Sequence, residues 1–516
     1  MIRLEEIFQD NMILQRERPI PIRGSAGPGD RIEARIQGKS AEATADDAGN
    51  FVVTLPALAA SDEETLTVTV QPDGETLCLR NIAVGEVWIA GGQSNMEFWM
   101  RYEAHRAEEG RSCPNPRLRF FDVPKVCYDG QLAEFDYSRM GVWRKATEDD
   151  LDYYSAVAYY FQKELADDLE IPVGVIGCNW GGTIAAAWMD PETVERISKP
   201  WMDWFYQVEE YRDMDAYLAA QHGKPVNDHG NPFGDYFLEG VLPRTLSTSE
   251  AMQFFVGLPR DTYEIFDDYM NHPQPQSVPG SLYEHMVRPI SSFPVRGVLW
   301  YQGEGDDEFG LPEHYQIMLT GLIGDWRALW RDEEMPFLIV QIPGLSRWLL
   351  EPPGNNFMEI RRAQERVCDT VPGTWLCSAG DAGAETDAHP KDKRDIGHRL
   401  ALLARRHVYG EEILSDAPRV LSAARDGCRV ILTFENDGDG LFIKGDSVNA
   451  LEVSAQGTVC EYTAEARGDE LILMLPDSAA GDINGPLTIA FAQTSWYDLN
   501  LYNSAGIPAI PFTLTV

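Results

Sequence analysis

Four short apolar runs limit the folds open to this chain. Glu86-Val87-Trp88-Ile89-Ala90, Pro172-Val173-Gly174-Val175-Ile176, Val295 to Leu299 and Phe337-Leu338-Ile339-Val340 are nearly continuous in apolar character. Runs of that length read as strands buried on both faces. Between and beyond them lie stretches with apolar residues at helical spacing. Residues 151–169, with Ala156, Tyr159, Tyr160 and Leu165, form one, and 314–331 and 391–408 are two more. Buried strands alternating with such helices predict an α/β body, a parallel sheet with helices on both faces, over residues 84–412.

The flanks follow a different period. In 1–83, Arg31-Ile32-Glu33-Ala34-Arg35-Ile36 and Thr65-Leu66-Thr67-Val68-Thr69-Val70 alternate in twos, separated by turns such as Gly27-Pro28-Gly29-Asp30. That pattern predicts a small β-sandwich-like module. Residues 413–516 return to it, with Arg429 to Phe434 and Leu471 to Leu475, and are expected to form a second β-rich module. A chain of 516 residues is long enough for roughly three domains. Residues 198–280 interrupt the body with an acidic, aromatic-rich stretch carrying Trp201, Trp204, Phe205, Tyr206, Tyr211, Phe233, Tyr236 and Phe237. A helical insertion near the active face is expected there.

The net charge of −39 argues against nucleic acid and anionic membrane surfaces as partners. The eight cysteines are thinly spread with no C-x-x-C pair, and are expected to be reduced and mostly buried. Met1-Ile2-Arg3-Leu4-Glu5-Glu6 lacks the basic-then-apolar pattern of a secretory leader, so a cytoplasmic location is the expectation. Neither H-E-x-x-H nor a Cys/His cluster is present, and no metal or cofactor is expected.

Polar or glycine-rich segments sit where strand ends are predicted, the usual place for ligands of a parallel sheet. Ser94, in Gly92-Gln93-Ser94-Asn95-Met96, follows the first buried strand and is a candidate nucleophile. It is not the G-x-S-x-G elbow, because residue 96 is Met. His389, in Asp387-Ala388-His389-Pro390-Lys391, is the candidate base, with Asp387 two residues away to orient it. Paired glycines in Asn179-Trp180-Gly181-Gly182-Thr183 let backbone N–H groups approach a ligand. In Trp300-Tyr301-Gln302-Gly303-Glu304, Gln302 is a candidate oxyanion donor and Glu304 a second carboxylate for His389. Together these are the parts of one acyl-transfer site.

These motifs, in this order, resemble the sialate O-acetylesterase-type enzymes of the SGNH-hydrolase superfamily. The resemblance extends over nearly the whole chain. It starts at Phe8-Gln9-Asp10-Asn11-Met12-Ile13-Leu14-Gln15-Arg16 and continues through Gly85-Glu86-Val87-Trp88 into the Ser94 block. It takes in Trp180-Gly181-Gly182-Thr183 with Trp188, Gly297 to Glu304, and Asp387-Ala388-His389-Pro390 with Gly397. It closes at Asn500-Leu501-Tyr502-Asn503 with Gly506-Ile507-Pro508-Ala509. Gly305-Asp306-Asp307 departs from the Ser-Asn that often continues the third block.

The resemblance implies a three-layer α/β/α SGNH-type sheet flanked by β-rich modules. It also implies removal of O-acetyl groups from sugars through an acetyl-enzyme, with no cofactor and an O-acetylated sugar as partner. Ser94 would be the nucleophile, His389 the base and Asp387 its acidic partner. The backbone N–H groups of Ser94 and Gly182, with Gln302, would form the oxyanion hole. Glu304 is the second choice for the acidic member. O-acetylated sialic acid is the first substrate reading, with Arg288 and Arg296 as positional candidates for its carboxylate. Acetylated xylan, xyloglucan or mannan oligosaccharides are the alternative. A non-catalytic sugar-binding protein with aromatic stacking surfaces is a reading from another class, and a homo-oligomer stays open.

Overall fold

The computed structural model describes all residues except 73, 138, 225–238, 261, 263–273, 310–311, 350–355 and 477–484. The chain is a mixed α/β protein with several sheets. The strands that position the site are β1 (Thr76–Gly92), β2 (Asn115–Asp122), β3 (Trp143–Ala146), β4 (Val173–Asn179), β5 (Gly297–Tyr301), β6 (Phe337–Val340) and β7 (Thr374–Cys377). Their order is β3-β2-β4-β1-β5-β6-β7. Only the β3–β2 pair is antiparallel; the others run parallel. The four apolar runs lie in β1, β4, β5 and β6. The β2 strand was not expected, because it carries Arg117 and Arg119. Arg119 is nonetheless buried. Its guanidinium donates to the carbonyls of Asn11, Met12 and Asp62, and so ties the N-terminal segment to the sheet.

The strand β1 is 17 residues long and changes partners along its length. Its first part pairs antiparallel with Ser61–Gln71, and its last residues pair parallel with β4 and β5. Residues 83 and 84 lie inside it, so the chain passes from N-terminal sheet to body without leaving a strand. One continuous apolar cluster accordingly runs from Ile2 to Ala404, while a second spans Val430 to Ala509 in the C-terminal sheets.

The helices around the site are α1 (Ser94–Glu97), α2 (Ala156–Leu169), α3 (Glu304–Phe309), α4 (Tyr315–Trp330), α5 (Phe357–Thr370) and α6 (Arg394–Leu403). Ser155 caps α2 by accepting from the Ala158 N–H, and its hydroxyl donates to the Met96 carbonyl, so one side chain fixes both α2 and α1. Gly397 lets α6 lie against α2, because a Cβ there would run into Tyr160.

The described part of 198–280 is made of short helices, among them Lys199–Phe205, Met214–Ala219 and Thr248–Gly257. Of its described aromatics, Tyr206 is exposed and Trp204 half-buried, while four turn inward. Trp201, Phe205, Tyr211 and Tyr217 are buried, with Phe205 and Tyr211 stacked at 4.2 Å, because only mutual packing removes that much apolar surface from water. Phe233, Tyr236 and Phe237 lie outside the described residues. The cysteines are free, but only Cys127, Cys178 and Cys377 are fully buried; Cys78 is exposed and the rest are intermediate. No helix among the described residues is long and apolar enough to cross a membrane.

Candidate active site

Register brings the site together. Gly92 pairs with Asn179 on one side and Tyr301 on the other, so β4, β1 and β5 end at one level. The segments 180–183, 93–94 and 302–304 therefore emerge side by side. Gly92 has φ +135°, and a Cβ there would overlap the Tyr301 carbonyl oxygen, so only glycine makes this close turn. Gln93 is extended and Ser94 opens α1, half-exposed between buried Gln93 and Asn95. As the first residue of α1, Ser94 has an N–H with no acceptor inside the helix.

The second segment lies against the serine. Trp180 donates its N–H to the Gly92 carbonyl at 3.0 Å. A Cβ on Gly181 would come within 3.2 Å of the Ser94 Cβ. The Gly181 N–H is taken by Glu97 Oε2 at 2.7 Å, and Glu97 is itself paired with buried Lys125. Gly182, at φ +71°, carries the next N–H, which has no acceptor among the described residues.

The third segment separates its two candidates. Gln302 is fully buried, and its Nε2 donates to Asp306 Oδ2 (2.6 Å), the Thr183 carbonyl (3.2 Å) and Gln93 Oε1 (3.3 Å). Its Oε1 accepts from the Tyr315 hydroxyl at 2.9 Å. An amide with both hydrogens so committed braces the site, and this differs from the oxyanion role expected of it. The cause is Asp306, a buried carboxylate that needs donors. It also accepts the Ala185 N–H at 2.9 Å, and burial pushes its carboxyl up to about 6. The departure at Gly305-Asp306-Asp307 thus ties together the second and third segments. Glu304, by contrast, accepts from Asn95 Nδ2 at 2.7 Å through Oε1, while its buried Oε2 has no hydrogen-bond partner among the described residues.

His389 lies on the loop after β7, a strand of four residues. The imidazole is buried, stacked on Phe98 at 6.4 Å and edge-on to Trp348 at 5.1 Å, and its Nδ1 has no hydrogen-bond partner among the described residues. Asp387 makes no bond to the ring. Its Oδ1 accepts the backbone N–H of His389 at 2.9 Å, and its Oδ2 meets Lys391 Nζ at 2.8 Å and accepts from the Thr245 hydroxyl at 2.9 Å. With one residue between them, the carboxylate closes on the backbone in a local turn, as Asx side chains do.

Asn95 connects these groups. Its Nδ2 donates to Glu304 and to the Ala388 carbonyl (2.9 Å), and its Oδ1 accepts from Lys393 Nζ at 2.6 Å. Lys393 is fully buried, and burial with neighbouring Lys391 lowers its ammonium to about 7. Burial holds the His389 imidazole well below its ordinary value, and Lys391 and Lys393 add to the effect. Burial raises the Glu304 carboxyl, opposed by the Asn95 hydrogen bond and the Lys393 charge. Sequence reasoning missed Asn95, Lys393, Trp348 and Thr245. The first two had a signal, adjacency to Ser94 and a place four residues after His389; the other two had none.

The cations proposed for an anionic substrate are committed elsewhere. Arg296 pairs with buried Glu86 at 2.7 Å before β5 begins, at the end of that strand opposite the site, and Arg288 pairs with Glu284 at 3.0 Å. Glu103, His105 and Asp392 bring ligand-type atoms within 4.8 Å of one another, but His105 Nε2 and Asp392 already bond to each other at 3.1 Å, and Glu103 accepts from Tyr160.

Residues 267–405 match the family described as "Carbohydrate esterase, sialic acid-specific acetylesterase". The chain is 27% identical over 367 residues to sialate O-acetylesterase of Mus musculus, covering 66% of this chain and 59% of that protein. With the Homo sapiens sialate O-acetylesterase the identity is 24% over 371 residues, covering 67% and 58%. The chain thus spans about three fifths of the length of these relatives. Among solved structures, a carbohydrate acetylesterase from Xanthomonas citri matches with a TM-score of 0.76 and 28% identity, covering 100% of this chain and 99% of that one.

Proposed function

We propose that this chain, similar along its length to one carbohydrate acetylesterase of known structure, is a serine O-acetylesterase built on an SGNH-type three-layer α/β/α sheet. The observation that carries the reading is the convergence on Asn95. One amide joins the Ser94 helix, Glu304, the His389 loop and buried Lys393.

In this reading neutral His389 takes the Ser94 hydroxyl proton as the oxygen attacks the acetyl carbonyl. The N–H groups of Ser94 and Gly182 receive the oxyanion. The imidazolium returns its proton to the departing sugar oxygen, leaving acetyl-Ser94. Water, deprotonated by the same imidazole, then attacks the acetyl carbonyl, and the imidazolium returns that proton to Ser94 Oγ as acetate leaves. Glu304 is the acidic member, since its open Oε2 is a buried acceptor and Nδ1 of His389 a buried group in want of one. Asp387 shapes the loop.

The substrate is an O-acetylated sugar, read first as O-acetylated sialic acid. Arg347 supports that form. It lies on the loop whose Trp348 meets His389, its guanidinium donates only to the Leu349 carbonyl at 3.2 Å, and it meets no carboxylate among the described residues. In a chain of net charge −39 such a cation is the group to hold a sugar carboxylate. The test is acetate release from O-acetylated sialic acid, acetylated plant oligosaccharides and p-nitrophenyl acetate. Ser94→Ala is expected to lower release on the order of 10⁴-fold or more while folding is kept. Full activity in that variant overturns the mechanism. Release from neutral oligosaccharides alone replaces the sialate reading with the neutral one.

A further inference from the structure

We infer that Trp348 is the wall against which the sugar ring carrying the acetyl group stacks, held in place by the segment inserted at 198–280. The inference rests on the esterase reading above and names how that site takes its sugar. The indole stands at 81° to the His389 imidazole with ring centroids 5.1 Å apart, so it borders the space where an ester must lie to meet the base. It is half-exposed, whereas the large aromatics of the core are sealed: Trp88, Trp180, Trp188, Trp300 and Trp326 are all fully buried. A half-exposed indole beside a catalytic base offers a flat apolar face, and the C–H face of a pyranose is its complement.

The support is built from distant chain. Leu349, next to the indole, sits at φ +53°, a conformation disfavoured for a branched side chain and kept only where surroundings enforce it. Those surroundings are the small cluster of Val241, Leu246 and Ala251 from the inserted segment, against which Leu349 packs. Thr245 of the same segment reaches the other side of the site by its hydrogen bond to Asp387. From the opposite direction the Leu345 N–H donates to the Ser495 carbonyl at 2.9 Å, and the Ser346 N–H to that of Glu385 at 2.9 Å. A loop fixed at three places presents its indole at little entropic cost on binding.

The experiment compares kcat/KM for an acetylated sugar with kcat/KM for p-nitrophenyl acetate, which has no sugar ring. Trp348→Ala is expected to lower the ratio of the two roughly tenfold, mostly through KM for the sugar, and Trp348→Phe to restore most of it. Leu349→Ala, with the indole intact, is expected to lower the ratio in the same direction by a smaller factor. A ratio within about twofold of wild type for Trp348→Ala, in protein with an unchanged circular dichroism spectrum, overturns the inference and leaves the esterase reading standing. Equal losses on both esters overturn it as well, since the indole would then only position His389. Wild-type protein inactive on both esters removes the esterase reading itself.

Discussion

At the scale of single residues the site turns on which carboxylate serves His389. Asp387 is nearest in sequence, yet its oxygens go to a backbone N–H, Lys391 and Thr245. Glu304 is 85 positions away but is linked to the histidine loop through Asn95. Removing the acidic member of such a site in comparable enzymes costs about 10⁴-fold in kcat. Glu304→Gln is therefore expected to lower kcat on p-nitrophenyl acetate by roughly 10³-fold or more, and Asp387→Asn by about tenfold. The reverse order in steady-state kinetics would return the role to Asp387.

The lysines set the pH response. In the proposed mechanism His389 accepts a proton only when neutral, and burial first, then Lys391 and Lys393, hold its pKa below the ordinary value. The acid limb of kcat/KM should thus lie below pH 6.5. Lys393→Met removes one cation, so the His389 pKa rises and the limb moves to higher pH. Lys393 itself titrates at about 7, with Lys391, Glu304, Asp387 and Glu103 as its charged neighbours. Above that value its charge is lost in the wild type too, so the two profiles should converge there. A pH–rate profile checks this, and an unmoved limb would remove Lys393 from the account. Ser94, His389 and Glu304 were legible as candidates because each stands in a motif. The use made of Asp387 and Gln302 was not, because side-chain commitments depend on neighbours remote in sequence.

Among the elements, the junction of β1 with α1 is the most demanding. Gly92 holds φ +135° against the Tyr301 carbonyl, so its replacement strains the backbone and overlaps β5 at once. Gly92→Ala is expected to cost about 2–4 kcal/mol and to lower activity along with Tm. A thermal melt coincident with wild type would contradict the geometry described. The strands legible in sequence were those buried on both faces, whose side chains are apolar without break. β2 escaped notice because Arg119 spends its charge on backbone carbonyls inside the protein. β7 escaped because it opens on the polar Thr374 and keeps Trp375 and Leu376 only half-buried, so it lacks the unbroken apolar character of the equally short β6.

Over the whole molecule, parts that read as separate segments are joined. A single strand carries the chain from the N-terminal sheet into the body, and one apolar cluster underlies both. The C-terminal segment reaches the site's outer loop, since Ser495 accepts from Leu345 and the Tyr497 ring lies under the Arg361 guanidinium at 5.0 Å. The inserted segment meets the site at Thr245 and Leu349. The charge of −39 sharpens the reading of Arg347, a cation next in sequence to Trp348 that meets no carboxylate among the described residues.

Local sequence was enough to set the four parallel strands buried on both faces, the turns that end them, and the serine and glycines those turns carry. Each of these is a local demand: a continuous apolar run, a close glycine turn, a polar residue next to it. Tertiary structure alone decided the rest. It gave Asn95 its four-way role, turned Gln302 and Asp387 into braces, buried Lys393 and set Trp348 against His389. Those outcomes depend on strand register and on desolvation, which are fixed only when segments far apart in the chain are packed together.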